Sequence, residues 1–241
     1  MTATDALALP LSPLLLVQLG WVGLTTPRMP GAAGPAEGFS PGPGNPFRLL
    51  VLGESTVAGV GAPTHSEALA GQTAAALAAR LKRGVAWKAV GRNGVTAQET
   101  EAELLPAAPD VAADAVAIAL GVNDALHWHS PRRWSRDLAS LIAAVHRRCG
   151  PGPVFLAAVP PLGRFPALPQ PLRAVLGRRA GELAAAAARL APTLSKVTYV
   201  DSRFSGGREM FASDGFHPSP AGYAAWGREL AEVIAGSAEG W

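Results

Sequence analysis

Four side chains in this sequence could together carry out acyl transfer: Ser55, Asn123, Asp214 and His217. A serine hydroxyl attacks a carbonyl carbon only when a base takes its proton. Histidine, with an ordinary pKa near 6.5, can take that proton and return it to a leaving group. An aspartate three residues before the histidine can fix the imidazole tautomer, and a carboxamide can stabilise an oxyanion. These residue types therefore indicate nucleophilic catalysis by serine.

Two of these residues follow apolar runs that are typical of buried strands. Ser55 comes just after residues 48–53, and Asn123 comes just after residues 115–120. In α/β proteins, reactive groups collect at the carboxyl edge of such strands. Ser55 taken alone favours a turn or a helix cap, because Ser and Thr are common there. Asn123 and residues 213–218 together favour the catalytic interpretation.

The apolar runs predict the architecture that must position these residues. Strands are expected at residues 48–53, 85–90, 115–120, 154–159 and 197–200, and helical patterns separate them. Such an alternation predicts a parallel sheet that is covered on both faces. Right-handed crossovers favour a flavodoxin-like, three-layer α/β/α fold with strand order 2-1-3-4-5. Ser55 and Asn123 would then face one another across the crevice at the switch point.

Four sequence signals predict where helices begin. Thr64 with Glu67, and Thr96 with Glu99, match the capping-box pattern. Ser130-Pro131 and Ser219-Pro220 place a capping residue before a proline that is compatible with a first helical turn.

The first 46 residues are expected to be distinct from the catalytic domain at residues 47–241. Residues 6–27 carry no charge and are long enough to span a bilayer. Pro10 and Pro13 interrupt this stretch, and the charge that precedes it is Asp5, unlike the basic start of a secretory signal. An apolar arm packed on the domain is favoured, and a membrane anchor or an uncleaved export signal remains the alternative. Residues 30–46, rich in Gly, Ala and Pro, are expected to be a linker.

Composition excludes several classes of protein. The formal net charge is +3 and the basic residues are scattered, with no basic stripe that alternates with aromatic residues, so nucleic acid is excluded as a partner. Cys149 is the single cysteine, which rules out an intrachain disulfide and a cysteine-based metal site. A cytoplasmic location is therefore expected unless residues 6–27 direct the chain to a membrane. Nothing in the sequence specifies an oligomeric state.

Four short blocks resemble those of the SGNH hydrolases, also called GDSL-type esterases and lipases, and the resemblance runs from about residue 47 to the end. The blocks are residues 53–56 (Gly-Glu-Ser-Thr), 94–96 (Gly-Val-Thr), 121–124 (Gly-Val-Asn-Asp) and 214–217 (Asp-Gly-Phe-His). Their order is that of the family, and each falls at a predicted strand end or in a loop. The G-x-S-x-G elbow of the α/β-hydrolases is absent around Ser55.

The resemblance implies a role for each matching residue. Ser55 is the nucleophile, His217 the general base, and Asp214 the residue that orients the imidazole. The oxyanion hole consists of the Ser55 and Gly94 backbone N–H groups and the Asn123 side-chain amide. No cofactor and no metal are expected.

One position departs from the family pattern, because Glu54 stands where Asp is usual. Altered loop packing is expected there, with no loss of activity.

Other residues near the blocks are candidates for binding substrate or for lesser roles. His127, Trp128 and Phe165 are tentative substrate-binding residues, and a zinc site at His127 and His129 is disfavoured because further ligands are lacking. Asp201 competes weakly with Asp214 as the orienting acid. The loop at residues 162–169 is either a mobile apolar flap over an acyl chain or an ordinary connector.

The expected function is hydrolysis of carboxylic esters of small or medium acyl chains, with a small-molecule ester as the partner. A thioesterase, lysophospholipase, acyltransferase or carbohydrate deacetylase would use the same residues, and fold alone does not choose among them. From a different class, the alternative is a catalytically idle binding module that residues 6–27 tether to a membrane.

Overall fold

A central six-stranded sheet lies between two layers of helices. The computed structural model describes residues 3–109, 112–202 and 206–238. The strands are β1 (Glu37–Ser40), β2 (Phe47–Gly53), β3 (Val85–Gly91), β4 (Ala115–Ala119), β5 (Val154–Ala157) and β6 (Val197–Val200). The α-helices are α1 (Ala3–Thr25), α2 (Leu69–Leu81), α3 (Ala97–Glu99), α4 (Val122–Leu126), α5 (Pro131–Cys149), α6 (Leu172–Leu190) and α7 (Pro220–Ala238).

The strand order is β1-β3-β2-β4-β5-β6. Strands β2 to β6 are the five expected strands, and they pair in parallel in the predicted order. The sheet has one further strand, since β1 adds to its edge antiparallel to β3. This strand comes from the segment expected to be a linker. A side chain at Gly38 would lie 2.6 Å from the Trp87 ring, so glycine permits the close pairing.

The two faces of the sheet bury alternate residues of each strand, as the period of a β-strand requires. Leu50 and Leu52 of β2 pack in the cluster that includes Trp134 of α5 and residues of α6. Leu49 and Val51 pack in the cluster formed with α2 and α7. Both faces are covered, which explains why the strands are near-continuous apolar runs.

Three of the four predicted helix starts are confirmed. Thr96 and Glu99 form a complete capping box at the start of α3, the Ser130 hydroxyl accepts the Arg133 N–H at the start of α5, and α7 begins at Pro220.

The helix start predicted at Thr64 is wrong, because α2 begins at Leu69. Thr64 pairs with Ala33 in an isolated bridge, so its backbone is committed to that pairing. Its hydroxyl instead donates to Glu67 Oε2 at 2.7 Å.

Helix α1 continues through Pro10 and Pro13 and packs against α6. Ala8 and Leu15 on its inner face are buried. Polar contacts also fix it, because the Thr4 hydroxyl donates to Glu182 Oε1 at 2.7 Å and Gln18 bonds to the backbone of Gln170 and Leu172. Seven large apolar side chains of this helix are exposed: Leu9, Leu14, Leu16, Val17, Leu19, Trp21 and Leu24. Residues 8–25 are long and apolar enough to cross a membrane.

Candidate active site

Asp214 and His217 form a hydrogen-bonded pair in the loop that precedes α7. His217 Nδ1 lies 2.6 Å from Asp214 Oδ2. Asp214 Oδ1 accepts the backbone N–H groups of Phe216 at 2.9 Å and His217 at 3.0 Å. Gly215 has a φ of +64°, a conformation that suits glycine at the centre of so tight a loop. The carboxylate is therefore held against Nδ1, which leaves Nε2 as the ring nitrogen for proton transfer.

The surroundings of Asp214 favour its ionised form. Burial raises the pKa of Asp214, but the hydrogen bonds from the His217 side chain and from the Phe216 and His217 backbones outweigh burial. The net pKa lies below the ordinary value of 3.8. An ionised carboxylate accepts at both oxygens and holds the imidazole in one tautomer.

The turn that begins at Ser55 packs against the loop that carries His217. The Val60 N–H donates to the Ser55 carbonyl at 3.0 Å, and the Tyr223 hydroxyl of α7 donates to the Val60 carbonyl at 2.6 Å. A side chain at Gly61 would lie 2.3 Å from the Pro218 carbonyl oxygen and 3.4 Å from His217 Cβ. Glycine at position 61 thus lets the two loops meet.

Ser55 is 7% exposed as a residue, and its hydroxyl is the predicted nucleophile. This hydroxyl makes no hydrogen bond within the part of the chain that the structure describes. The proton-transfer contact between Ser55 and His217 therefore stays a prediction.

Hydrogen bonds lock together the segments that carry Ser55, Gly94 and Asn123. Glu54 Oε1 accepts the Val122 N–H and Oε2 accepts the Asn123 N–H, both at 3.0 Å. The Asn123 Nδ2 group donates to Glu54 Oε2 and, at 3.1 Å, to the Val95 carbonyl. Asn123 is therefore part of this hydrogen-bonded network, and Ser55 and Gly94 are each adjacent in sequence to one of its members.

Two backbone N–H groups beside this network have no acceptor within the described residues. The N–H groups of Ser55 and Gly94 donate to no protein atom among the residues described. Gly94 has a φ of +86°, and no heavy atom lies within 4 Å of where a side chain would project. The N–H group of Gly94, beside this open space, suits binding of a developing oxyanion. Asn123 differs, because both hydrogens of its carboxamide point to protein acceptors.

Two acids in this region, Glu54 and Asp124, are buried, which the sequence did not predict. Glu54 is 2% exposed, and burial, opposed by hydrogen bonds from Asn123 and Val122, raises its pKa to about 8. Asp124 is fully buried, accepts the Ala97 N–H at 3.2 Å and contacts His129 Nδ1 at 2.8 Å. Burial also raises the pKa of Asp124. The sequence signal at this position was the presence of Glu54 where the family usually has Asp.

The tentative substrate-binding residues have different environments. His127 is exposed and lines a pocket of about 450 Å³, together with Thr96, Gln98, Glu99, Ala102, Glu103, His129 and Arg133. The Trp128 Nε1–H donates to Asp5 of α1 at 2.9 Å, and the Arg179 guanidinium lies 4.9 Å from the centroid of the Trp128 ring. Phe165 is buried and contacts Phe216 edge to face, with 5.0 Å between centroids. Of these three, His127 and Trp128 are exposed and Phe165 is buried.

The loop at residues 162–169 does not expose its apolar side chains. Leu162, Phe165 and Leu168 are each buried, so the loop contributes to the core. The expected exposure of apolar side chains is therefore wrong for these three residues, and the choice between a flap and a connector stays a prediction.

The partner of His217 is Asp214, and Asp201 is exposed at the end of β6. No cluster of three or more His, Cys, Asp or Glu residues that could hold a metal occurs in residues 3–109, 112–202 and 206–238.

Comparison with known proteins identifies the family by sequence and finds the same fold in solved structures. The model of the GDSL-like lipase/acylhydrolase family matches residues 51–225. The fold is similar to a lipase/acylhydrolase from Enterococcus faecalis, with 25% identity and a TM-score of 0.53 over 79% of this chain and 96% of that one. No curated protein gives a significant match.

Two carbohydrate esterases share the fold. One is Est24, a carbohydrate acetylesterase from Sinorhizobium meliloti, with 21% identity and a TM-score of 0.56 over 79% of this chain and 99% of that one. The other is a carbohydrate esterase family 2 enzyme from Corynascus thermopiles, with 19% identity and a TM-score of 0.60 over 83% of this chain and 69% of that one. With the family match covering residues 51–225, the chain belongs to the GDSL-like lipase/acylhydrolase family of serine hydrolases that act on ester bonds.

Proposed function

We propose that this protein hydrolyses carboxylic esters of small or medium acyl chains through an acyl-enzyme intermediate. Ser55 is the nucleophile, His217 the general base, and Asp214 the residue that orients His217. The observation that carries the proposal is the 2.6 Å contact between Asp214 and His217, in a loop packed against the turn of Ser55. A histidine that a carboxylate orients in this way is suited to take the proton of a nearby hydroxyl and so activate it as a nucleophile.

The first half of the reaction forms the acyl-enzyme. His217 Nε2 takes the Ser55 proton as Oγ attacks the ester carbon, and the carbonyl oxygen becomes an oxyanion. The N–H groups of Ser55 and Gly94 stabilise that oxyanion, with the Asn123 carboxamide as the third donor. Collapse of the tetrahedral intermediate expels the alkoxide, which receives the proton from His217.

The second half reverses these roles with water. His217 takes a proton from water, the resulting hydroxide attacks the acyl carbon, and Ser55 leaves with the proton returned by His217. The acid is released and Ser55 Oγ–H is restored, so the cycle needs no other reactant. No step in this mechanism requires a cofactor or a metal.

Active-site labelling tests the nucleophile. A fluorophosphonate probe should label the protein at Ser55, and Ser55→Ala should lose both label and esterase activity. Ser66→Ala is the matched control, because Ser66 is exposed and lies in the loop before α2. Label retained on Ser55→Ala would place the nucleophile elsewhere. Absence of label and hydrolysis in the wild type would favour the alternative of an idle binding module.

A specific observation favours a second candidate, a carbohydrate deacetylase. The pocket at His127 borders Thr96 and is lined mainly by polar side chains. Thr96 and His127 belong to the segments that carry Gly94 and Asn123, so the pocket could receive a polar leaving group. Two carbohydrate esterases share the fold, which is compatible with this candidate.

A substrate panel separates the alternatives. It comprises p-nitrophenyl esters of increasing acyl length, acetylated monosaccharides and xylan, an acyl-CoA thioester and lysophosphatidylcholine. The proposal expects the highest kcat/KM on short and medium p-nitrophenyl esters. Higher kcat/KM on acetylated sugars would support the deacetylase, and preference for the thioester or the lysophospholipid would identify those activities instead.

We also propose that the outer face of α1 contacts a lipid surface while its inner face stays on the domain. Residues 6–27 are uncharged, and Leu16 and Leu24 are 69% and 89% exposed. Exposed apolar area of this kind is usually covered by a partner or a membrane.

Vesicle flotation tests the lipid proposal. The wild type should float with liposomes, and the double variant Leu16→Glu, Leu24→Glu should not. Phe39→Glu is the control, because Phe39 is 55% exposed on β1. Recovery of the wild-type protein wholly in the soluble fraction of cells would instead support a cytoplasmic location.

A further inference from the structure

The carboxyl group of Glu54 accepts three hydrogen bonds from the segment that carries Asn123. We propose that Glu54 is a positioning residue that holds Asn123 in place for catalysis, through hydrogen bonds to its backbone and its side chain. The inference rests on the proposed function, since it assigns a task within the same site.

The first support is geometric. Glu54 follows β2, and its own N–H donates to the Ala119 carbonyl at the end of β4 at 3.3 Å. From there the carboxyl group reaches the first turn of α4, where its oxygens accept Val122 N–H and Asn123 N–H at 3.0 Å each. Nucleophile and oxyanion donor are thus tied through one side chain, directly beside Ser55.

The second support is the chemistry of the acceptor. Three N–H groups converge on the carboxyl group, and both of its oxygens can accept hydrogen bonds. A glutamine would place an NH₂ group against one of these N–H groups, because its nitrogen cannot accept. An aspartate keeps both oxygens but is one methylene shorter. The site therefore distinguishes a carboxyl group from its neutral amide analogue.

The third support is the state of the Asn123 carboxamide. Its two hydrogens point to Glu54 Oε2 and to the Val95 carbonyl. An oxyanion beside Gly94 has to share one of these hydrogens, so its stabilisation depends on how Glu54 places and holds the nitrogen. Glu54 acts on the reaction through Asn123 and does not touch the reacting atoms.

Steady-state kinetics of three variants test the proposal. Glu54→Gln should lower kcat by about 10- to 100-fold, less than the 10²- to 10³-fold typical for loss of an oxyanion donor, with KM nearly unchanged. Glu54→Asp should recover much of kcat, because both acceptor oxygens remain. Glu67→Gln is the matched control and should keep wild-type kcat, since the hydrogen bond to the Glu67 carboxyl group comes from Thr64 and not from a predicted site residue.

A second readout separates positioning from simple destabilisation. Rates are normalised to the end-point stoichiometry of fluorophosphonate labelling and measured well below the unfolding temperature of each variant. Burial raises the pKa of Glu54 to about 8, and the negative field of Asp124 adds to this rise. Above that pH the charged Glu54 should oppose the oxyanion. The ratio of wild-type to Glu54→Gln kcat should therefore fall as pH rises through 8.

The outcomes distinguish this inference from the proposed function. Wild-type kcat and an unchanged pH profile in Glu54→Gln, with Ser55→Ala inactive, would overturn the role of Glu54 alone. Full activity in Ser55→Ala would overturn the proposed function itself. A loss of kcat in Glu54→Gln that Glu54→Asp shares equally, with no change in pH profile, would also overturn the role of Glu54.

Discussion

At the scale of single residues, the contact between Asp214 and His217 depends mainly on the local chain that joins them. The two residues are three apart, and the loop that joins them places Nδ1 at 2.6 Å from the carboxylate. Ser55 and Asn123 depend instead on the sheet, because each lies at the end of a different strand. This difference explains why the pair could be predicted locally while the full site needed the strand order.

Asp214 should be the acid that matters to catalysis. Asp214→Asn should lower kcat by about 10³- to 10⁴-fold, because an amide at Oδ2 no longer fixes the required tautomer. Asp201→Asn, which changes an exposed residue after β6, should leave kcat unchanged. Steady-state kinetics on one p-nitrophenyl ester measure both. Equal losses in the two variants would contradict the assignment of Asp214.

Asn123 should matter more to rate than to folding. Asn123→Ala should reduce kcat by about 10²- to 10³-fold through loss of an oxyanion donor. Its unfolding free energy should fall by about 1 kcal/mol, the usual cost of a lost hydrogen bond. Asn93→Ala, at an exposed position in the same turn as Gly94, is the control for kcat and for urea unfolding. Wild-type kcat in Asn123→Ala would remove the carboxamide from the mechanism.

At the scale of elements, Gly121 lies where the segment that carries Asn123 packs against α5. It has a φ of +121° between β4 and α4. A side chain there would lie 2.6 Å from Val159 Cγ2 and 3.2 Å from the ring of Trp134 on α5. The backbone that leads to Asn123 can therefore follow its path only without a side chain.

Substitution of Gly121 tests this connection. Gly121→Ala should lower the unfolding free energy by about 1–3 kcal/mol, through strain and overpacking, and should lower kcat as Asn123 shifts. Gly181→Ala is the matched control. Gly181 lies within α6 with no atom within 4 Å of its missing side chain, so alanine there should stabilise by about 0.5–1 kcal/mol. Urea unfolding measures both, and equal effects would contradict the packing argument.

At the scale of the whole molecule, the buried acids couple stability to pH in opposite ways. The pKa of Asp214 is lowered, so its contribution to stability is lost as pH falls below 3.8. The pKa of Glu54 is raised from 4.5 to about 8, so the folded state keeps a proton that the unfolded chain has released. The contribution of Glu54 to stability is therefore largest below pH 4.5 and declines as pH rises through 8.

The pH dependence of unfolding isolates this effect of Glu54. Between pH 4.5 and 8, the wild type should lose up to about 1.4 kcal/mol of unfolding free energy per pH unit relative to Glu54→Gln. Because Asp214 is present in both proteins, its effect cancels in the comparison. Urea denaturation at a series of pH values gives the difference. A constant difference across this window would show that Glu54 keeps the same charge in the folded and unfolded states.

The sequence by itself determined the parallel part of the sheet, the order of its five parallel strands, the family and the local pair at residues 214–217. Apolar runs report burial on both faces, and right-handed crossovers leave few ways to order five strands. The capping box at Thr96 was also readable, because its partners are three residues apart. Each of these features depends on residues close in the chain or on a general rule of topology.

The tertiary structure alone decided which distant groups meet. It placed β1 at the sheet edge, buried Phe165 against Phe216, docked α1 on α6 and set Glu54 against Asn123. No local pattern encodes such contacts, because a hydrogen bond or a packing contact between distant segments forms only after the strands have assembled. The residue types of the site indicated its chemistry, and the hydrogen bonds between Glu54 and Asn123 became visible only in three dimensions.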